Sequence, residues 1–121
     1  WQKDNAIVIV QIEHIEAVDN IELILSVDGV DGLIVGPYDL SGSMGIPGEF
    51  DSKQYVQALE RVRSVSAKLS VPAGVHVVEP DPENVVRQID AGYKFIAYSL
   101  DIRLLDVASK DGLKKIRKAF K

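Results

Sequence analysis

Apolar residues occur in four separate runs along the chain, and each run is rich in β-branched side chains. The runs cover residues 7–12, 33–35, 71–78 and 94–99. Within them, apolar and polar positions do not alternate as they would in a strand with one wet face. Continuous apolar runs are typical of strands that are buried on both faces, as in a parallel sheet. The pattern therefore predicts four parallel strands.

The segments between these runs repeat apolar residues every three or four positions, which is the spacing of one helix face. We predict helices over about residues 15–25, 52–69, 82–91 and 110–121. A proline starts the third helix and Gly92 follows its end, the usual arrangement at helix termini. The residues that share one helix face are Ile15, Val18, Ile21 and Leu25 in the first helix and Leu113, Ile116 and Phe120 in the fourth. In the second helix, the residues predicted to point inward are Val56, Leu59, Val62, Val65 and Ala67.

This alternation of strand and helix indicates an α/β fold with right-handed crossovers between parallel strands. An open four-stranded sheet would leave two edges to be covered. A (β/α)8 barrel needs about 250 residues, and this chain has 121 and begins at Trp1 without an initiator Met. We therefore interpret residues 1–121 as one domain, the C-terminal half of a TIM (β/α)8 barrel.

The amino-acid composition mainly excludes several classes of protein and partner. Apolar residues make up 46% of the chain and charged residues 26%, proportions of an ordinary globular protein and not of a disordered one. A net charge of −4 offers nucleic acid no attraction, and no apolar run approaches the roughly 18–20 residues of a membrane span. With no cysteine, the chain suits a reducing cytoplasm. We expect a cytoplasmic protein with neither nucleic acid nor membrane as a partner.

Two carboxylates directly follow predicted strands: Glu13 after the first and Asp39 after the second. Because parallel strands present their carboxyl ends at one rim, both side chains are expected there. Two carboxylates can hold Mg²⁺ or Mn²⁺ and leave positions open for substrate oxygens and water. The alternative is that Glu13 caps the next helix and Asp39 accepts hydrogen bonds from turn amides. Spacing alone favours this second interpretation.

The segment GPYDLS at residues 36–41 is the densest signal in the chain. A glycine at a strand end lets backbone N–H groups approach an anion, and a helix start would add its dipole. A substrate carboxylate would then lie against the amides of Tyr38 and Asp39; a plain tight turn is about equally consistent. The loop extends from residue 36 to residue 48, as either a flexible lid or a long connection.

Other polar residues near the strand ends have both structural and functional interpretations. His76 is either a satisfied structural histidine, which we favour, or a base, ligand or substrate hydrogen bonder. Gln11 lies in an apolar strand, so as a buried amide it needs a partner. The remaining assignments are His14 as a solvated helix-start residue, Asp101 as a helix N-cap, and Tyr98 and Ser99 as candidates for closing the pocket.

Four segments together resemble the HpcH/HpaI aldolase/citrate lyase family. They are VQIE at residues 10–13, VDGLIVGPYDLS at 30–41, MGIPG at 44–48 and AGYKFIAYSLD at 91–101. The last looks like the final barrel strand of that family. The resemblance covers essentially the whole chain but only the C-terminal half of the family's domain, and the motifs are specific as a set.

The resemblance implies a TIM barrel and a metal-dependent (class II) aldolase, a carbon–carbon lyase that cleaves a 4-hydroxy-2-oxo acid into pyruvate and an aldehyde. By that similarity Glu13 and Asp39 are the catalytic metal ligands, with Mg²⁺ or Mn²⁺ as the cofactor. The positions that hold the keto acid correspond to Gln11 and to the segment formed by Gly36, Pro37, Tyr38 and Asp39. A bound cation would stabilise the enolate left when the C–C bond breaks.

Two departures from the family matter. Its arginine and histidine from the first half of the barrel have no counterpart here, so we expect these 121 residues alone to be inactive without an N-terminal half-barrel. His76 stands where the family has a more apolar residue, and is a candidate substrate-binding residue or substitute proton carrier. The alternatives are a citrate-lyase-like acyl-CoA lyase and a non-catalytic half-barrel assembly module. Homo-oligomers are expected, with the stripe of Leu113, Ile116 and Phe120 packing on a neighbour or covering the barrel.

Overall fold

The four predicted strands form one parallel sheet. The computed structural model describes residues 5–120, so Trp1 and Lys121 lie outside the described residues. All strand pairings are parallel, and the spatial order follows the chain. The strands are β1 (Ile9–Ile12), β2 (Gly32–Val35), β3 (Ala73–Val77) and β4 (Phe95–Tyr98).

This sequential order is that of a barrel segment. In a (β/α)8 barrel each strand pairs with the next one along the chain, whereas a doubly wound sheet reverses its order at a switch point. Here β1 pairs with β2, β2 with β3 and β3 with β4, without reversal. The predicted α/β half-barrel architecture is confirmed.

Helices connect the strands and cover one face of the sheet. They are α1 (Ile15–Asp19), α2 (Ile21–Leu25), α3 (Pro37–Ser43), α4 (Lys53–Leu69), α5 (Pro82–Asp90) and α6 (Asp101–Ala119). The core lies between this helical layer and the sheet, where Leu33, Val35 and Val62 are fully buried. No helix within residues 5–120 is both long and apolar enough to cross a membrane.

The prediction that all four strands are buried on both faces is wrong for β1. Ile12 is buried against the helices, but Ile9 is 46% exposed and Gln11 is exposed on the opposite face. In the described residues no second layer covers that face. Of the four residues of β1, only Ile12 is buried and Val10 is partly buried.

Several helix predictions also need correction. The single helix predicted over residues 15–25 is two short helices that meet at Asn20, whose backbone is not helical. In α4, Val56 and Ala67 were predicted to face inward, but both are exposed. The residues of α4 that are buried are Tyr55, Ala58, Val62 and Ser66. The buried stripe includes Ser66, which periodicity of apolar residues alone misses; its hydroxyl is satisfied by donating to the Val71 carbonyl.

The last helix begins earlier than predicted, at Asp101 and not near residue 110. Its N-cap is Leu100, so the prediction that Asp101 is the N-cap is wrong by one residue. The Asp101 carboxylate instead accepts a hydrogen bond from the Ile102 N–H, at 2.7 Å. Arg103 ties α6 to the end of β3, donating to Glu79 at 2.6 Å. The apolar stripe near the end of this segment, formed by Leu113, Ile116 and Phe120, is exposed.

Candidate active site

One row of residues crosses the sheet at the carboxyl ends of the strands. Ile12, Val35, Val75 and Ile96 are aligned in register and point toward the helices. Because side chains alternate along a strand, the next residues point to the open face. They are Glu13, Gly36, His76 and Ala97, the last two being a registered pair. With strands about 4.8 Å apart, Glu13 and His76 lie roughly 10 Å apart across Gly36.

Gln11 and Glu13 act as a pair on this open face. The Gln11 amide Nε2 donates to Glu13 Oε2 at 2.7 Å, and both residues are exposed. The expectation of a buried Gln11 is therefore wrong, although the partner it required is present. This bond holds one carboxylate oxygen of Glu13 and leaves the other without a hydrogen bond from the described residues.

Gln11 and Glu13 pack over Gly36. A Cβ at Gly36 would lie 3.0 Å from Gln11 Nε2 and 3.3 Å from Glu13 Cβ. The φ of Gly36, −93°, is open to any residue, so glycine is required here for space and not for backbone freedom. On the same face, the ring of Phe95 occupies the space over Gly74, where any Cβ would overlap it.

Asp39 enters the same region from α3. Gly36 is the N-cap of α3, and the first intrahelical bond runs from Leu40 N–H to the Gly36 carbonyl at 3.0 Å. Asp39 is therefore the third residue of α3, within its first turn. The backbone N–H groups of Tyr38 and Asp39 have no hydrogen-bond partner within residues 5–120. The predicted helix start is present, and the long loop predicted over residues 36–48 is helical in its first half.

The rest of this loop is braced by its own contacts. Ser41, fully buried, donates from Oγ to the Tyr38 carbonyl and accepts from the Gly48 N–H, each at 3.0 Å. The Tyr38 ring meets Phe50 edge-on, with centroids 5.0 Å apart. These contacts favour an ordered connection over a flexible lid. Sequence reasoning missed Ser41, although a serine among buried positions is a signal for such bracing.

A further bond joins the two carboxylate-bearing segments. The Ile15 N–H, just after Glu13, donates to Ser43 Oγ at the end of α3 at 2.9 Å. His14 is the N-cap of α1, its Nδ1 accepting from the Glu16 N–H at 3.2 Å. Glu13 is therefore not the helix cap that the structural interpretation required, and its carboxylate is available for other chemistry.

His76 is half-buried and is held by one hydrogen bond. Its Nε2 lies 3.0 Å from the carbonyl oxygen of Ser99, just past β4. Ser99 is buried and takes a left-handed φ of 57°. Its Oγ donates to the Val78 carbonyl at 2.9 Å and its N–H to the Val77 carbonyl at 2.8 Å. Ser99, predicted as a residue that closes the pocket, instead positions His76, while Tyr98 points to the helical side of the sheet.

A cavity of about 470 Å³ opens beside His76. Its wall includes Tyr38, Asp51 and Tyr55 from the α3–α4 region, and Asp81 and Arg87 from the start of α5. Burial raises the pKa of the Tyr55 phenol, with a further contribution from Tyr93, so this hydroxyl stays protonated. A larger cavity, of about 580 Å³, lies at the amino ends of β3 and β4. The first cavity lies at the carboxyl end of β3 but on its helical side, because Val75 and Val77 line it, and none of Gln11, Glu13, Gly36 and Asp39 borders it.

The donor set at the rim suits a hard divalent cation. Glu13 and Asp39 are exposed carboxylates, and neither forms an ion pair with Lys or Arg in the part of the chain that the structure describes. No three acidic or histidine side chains gather there to enclose a metal. Mg²⁺ commonly takes only one or two carboxylates and completes its shell with water and substrate oxygens. Two exposed carboxylates at the strand ends fit the chemistry of such an ion.

Comparison with known proteins agrees with the fold and the motifs. Residues 2–108 match the HpcH/HpaI aldolase/citrate lyase family. A pyruvate aldolase of Rhizobium etli is 39% identical over 97 residues, covering 80% of this chain and 37% of that protein. A 4-hydroxy-2-oxovalerate aldolase of Novosphingobium aromaticivorans is 38% identical over 114 residues, covering 91% and 41%.

The structural similarity is equally extensive. The crystal structure of an HpcH/HpaI aldolase from Desulfitobacterium hafniense matches with a TM-score of 0.88 at 30% identity, covering 96% of this chain and 44% of that one. The chain thus spans about two fifths of the length of these relatives. Strand order, the residues at the rim and the extent of the match lead to one conclusion: the chain belongs to the HpcH/HpaI aldolase/citrate lyase family.

Proposed function

We propose that this chain carries the metal- and keto-acid-binding half of a class II aldolase site, which cleaves a 4-hydroxy-2-oxo acid into pyruvate and an aldehyde. The observation that carries the proposal is the pair of exposed carboxylates at the carboxyl ends of β1 and β2, Glu13 and Asp39, neither of which is paired with Lys or Arg in the described residues. The names of two relatives, a pyruvate aldolase and a 4-hydroxy-2-oxovalerate aldolase, support the reaction class.

Glu13 and Asp39 would hold the divalent cation, Mg²⁺ or Mn²⁺. Such an ion acts as a Lewis acid on the keto and carboxylate oxygens of the substrate and stabilises the negative charge that develops on cleavage. Gln11 fixes the Glu13 carboxylate through the 2.7 Å hydrogen bond, so this ligand is oriented before substrate arrives.

The GPYD segment would place the keto acid. Gly36 leaves room for the side chains of Gln11 and Glu13, and the unpartnered amides of Tyr38 and Asp39 would be donors for a substrate carboxylate. Pro37 has no N–H to offer, but its ring starts α3 and so fixes where the next two amides point. Preorganised donors of this kind cost no rearrangement during the reaction.

The reaction itself needs two proton movements that these residues do not provide. The C3–C4 bond breaks, its electron pair becomes the enolate of pyruvate, and the C4 hydroxyl loses its proton to give the aldehyde. The enolate then takes a proton at C3. The family's histidine for proton transfer and its arginine for the enolate charge lie in the first half of the barrel, so the 121-residue chain by itself should release no pyruvate.

The setting of this activity is also part of the proposal. The absence of cysteine suits the reducing cytoplasm. The exposed apolar residues Leu113, Ile116 and Phe120 on the outer end of α6 would pack on a neighbouring copy in a homo-oligomer, or cover the barrel. An N-terminal half-barrel would complete the open face of the sheet.

A second candidate is a non-catalytic assembly module. It is favoured by the open face of the sheet, where Ile7 is 77% exposed and Ile9 46% exposed. This candidate predicts that the chain self-associates through β1 and β4 without turnover. A monomeric, folded species in sedimentation velocity would exclude it.

The test of the aldolase proposal is substitution in a complete barrel that contains this chain. Glu13→Gln and Asp39→Asn should each lower kcat/KM for the retro-aldol reaction by at least about 100-fold. The matched controls Glu60→Gln and Asp28→Asn, exposed carboxylates away from the rim, should stay within about twofold of the parent. Pyruvate release is followed with a coupled NADH assay. Activity retained in both site variants would contradict the proposal.

A further inference from the structure

Two hydrogen bonds tie the turn after β1 to α3, and the two candidate metal ligands lie between these bonds. Before the carboxylates, the Gly36 N–H donates to the Ile12 carbonyl at 3.1 Å and continues the pairing of β1 with β2. After them, the Ile15 N–H donates to Ser43 Oγ at 2.9 Å. The first bond belongs to the main chain of the sheet, whereas the second depends on one side chain.

Ser43 also shows which face of α3 meets the turn after β1. Asp39 and Ser43 are four residues apart in α3, so their side chains share one face of this helix. Because Ser43 contacts Ile15, two residues after Glu13, this face is the one directed toward the Glu13 segment. Asp39 is exposed on the same face, one turn earlier. The Ser43 contact therefore places Asp39 on the side of α3 that faces Glu13.

The Ser43 hydroxyl is itself held in a fixed orientation. It donates to the Leu40 carbonyl at 2.7 Å while its oxygen accepts from the Ile15 N–H. Leu40 is fully buried in the core, and Ile15 is partly buried against the same core. The hydrogen bond through Ser43 thus joins two segments that are each anchored by packing, and it sets their separation.

A serine that only satisfied a helix-start amide would affect stability and nothing else. Ile15 is the first residue of α1, so its N–H has no acceptor within that helix. Ser52 is a serine of the simpler kind, because at the start of α4 its Oγ accepts from the Tyr55 N–H of its own helix, at 3.4 Å. Ser43 differs because it reaches α1 from another element, and Ser52 is therefore its matched control.

We propose that Ser43 is a positioning residue, which holds the Glu13 and Asp39 carboxylates at the separation that one divalent cation requires. The proposal rests on the proposed function, because it takes these two carboxylates as the metal ligands. Ser43 itself touches neither metal nor substrate. Without its hydroxyl both ligands remain, but their segments are free to shift, so the metal binds more weakly.

The positioning is tested first without metal, by cross-linking. The chain contains no cysteine, so Glu13→Cys combined with Asp39→Cys gives a unique pair of thiols. A short bis-maleimide should join them, and adding Ser43→Ala should slow the reaction by about threefold or more. Ser52→Ala and the hydroxyl-retaining Ser43→Thr should leave the rate nearly unchanged. A pair that does not cross-link, or a rate unchanged by Ser43→Ala, would overturn the proposal.

Metal binding is the second test, with the two carboxylates intact. In Mn²⁺ titrations of the folded chain followed by electron paramagnetic resonance, Ser43→Ala should raise the Kd by about three- to tenfold. Ser43→Thr should restore the parent Kd, and Ser52→Ala should leave it unchanged. All titrations are made well below the Tm of each variant, so that lost stability does not lower the amount of folded chain.

The two tests separate the failure of this proposal from the failure of the proposed function. Mn²⁺ binding that Ser43→Ala leaves unchanged, or that Ser52→Ala weakens equally, would overturn the positioning role. A parent chain that takes up no Mn²⁺ would instead contradict the proposed function. The cross-linking rates would then still decide whether Ser43 fixes the separation of the two segments.

Discussion

The two faces of this sheet are made by the same strands and yet differ in almost every property. On the helical face, Leu33, Val35 and Val75 are at most 5% exposed and pack against α1, α2 and α4. On the open face, the alternate positions include Gln11 and His76, and Glu13 and Gly36 follow directly. One face stabilises the fold, and the other carries the candidate chemistry.

Residues that stabilise the fold and residues that carry the candidate chemistry are therefore neighbours in the sequence of the same strand. One residue after the buried Val35 at the end of β2, Gly36 must lack a side chain because Gln11 and Glu13 pack over it. Substitutions on the two faces should therefore have opposite signatures: loss of stability on one, and loss of ligand binding on the other.

The largest expected change in stability comes from the helical face. Leu33→Ala removes a fully buried side chain and leaves a cavity, so the free energy of unfolding should fall by about 2–5 kcal/mol. Its neighbour Ile34, half-buried on the open face, is the control. Ile34→Ala should cost about 1 kcal/mol. Urea denaturation followed by circular dichroism measures both. Equal losses would mean that the two faces are not distinct.

Adding a methyl group at Gly36 should reduce metal and oxalate binding more than it reduces the free energy of unfolding. Gly36→Ala places a methyl group 3.0 Å from Gln11 Nε2 and replaces a favourable N-cap glycine, which should cost about 1 kcal/mol. The control Gly42→Ala lies in α3, where a Cβ meets nothing within 4 Å, and should stabilise by about 0.5–1 kcal/mol. Denaturation together with metal and oxalate titration checks the pair. Unchanged metal and oxalate binding in Gly36→Ala would show that binding does not need the packing of Gln11 and Glu13 over Gly36.

One buried polar group on the helical side of the sheet lacks a hydrogen-bond partner among the described residues. The Tyr93 hydroxyl is buried without a hydrogen-bond partner in the described residues, and burial raises the pKa of this phenol. Tyr93→Phe should therefore be neutral or stabilise by up to about 1 kcal/mol, visible as a higher Tm. The half-exposed Tyr98 is the control, and Tyr98→Phe should leave Tm nearly unchanged. A lower Tm in Tyr93→Phe would reveal an ordered water or other partner at the hydroxyl.

The smallest effect should come from the surface ion pair that links α2 to α4. The hydrogen bond and charge of Lys68 hold the pKa of the Glu22 carboxyl below its ordinary value. Because the folded pKa is lower than the unfolded one, the pair stabilises the fold above about pH 4.5, and this contribution is lost as the pH falls through the folded pKa. Glu22→Gln should therefore flatten slightly the dependence of the urea midpoint on pH between 5 and 3, whereas Glu16→Gln should not. High salt should remove the difference.

Much of this fold could be predicted from the pattern of apolar residues, because burial against helices demands it. The four strands and the long α4 follow from that pattern. The break at Asn20 and the start of α6 at Asp101 could not be predicted, since both depend on local backbone geometry that apolar spacing does not report. The predicted burial of Gln11 failed because it assumed that both faces of β1 are covered.

The candidate site residues could be named from the sequence, but the contacts between them could not be predicted. Strand ends select Glu13, Asp39 and His76 as candidates. The hydrogen bond from Gln11 to Glu13 and the anchoring of His76 by Ser99 depend on register and on a left-handed turn. Neither contact leaves a signature in residue spacing.

The central claim is that the open face of this half-barrel holds a metal and a keto acid at Glu13 and Asp39. Calorimetric titration of oxalate, which mimics the planar enolate, into the chain with and without Mn²⁺ tests it most directly. We expect oxalate binding that requires Mn²⁺, is lost in Glu13→Gln and is retained in Glu60→Gln. Absence of binding by the folded chain, or binding that persists unchanged in Glu13→Gln, would contradict it.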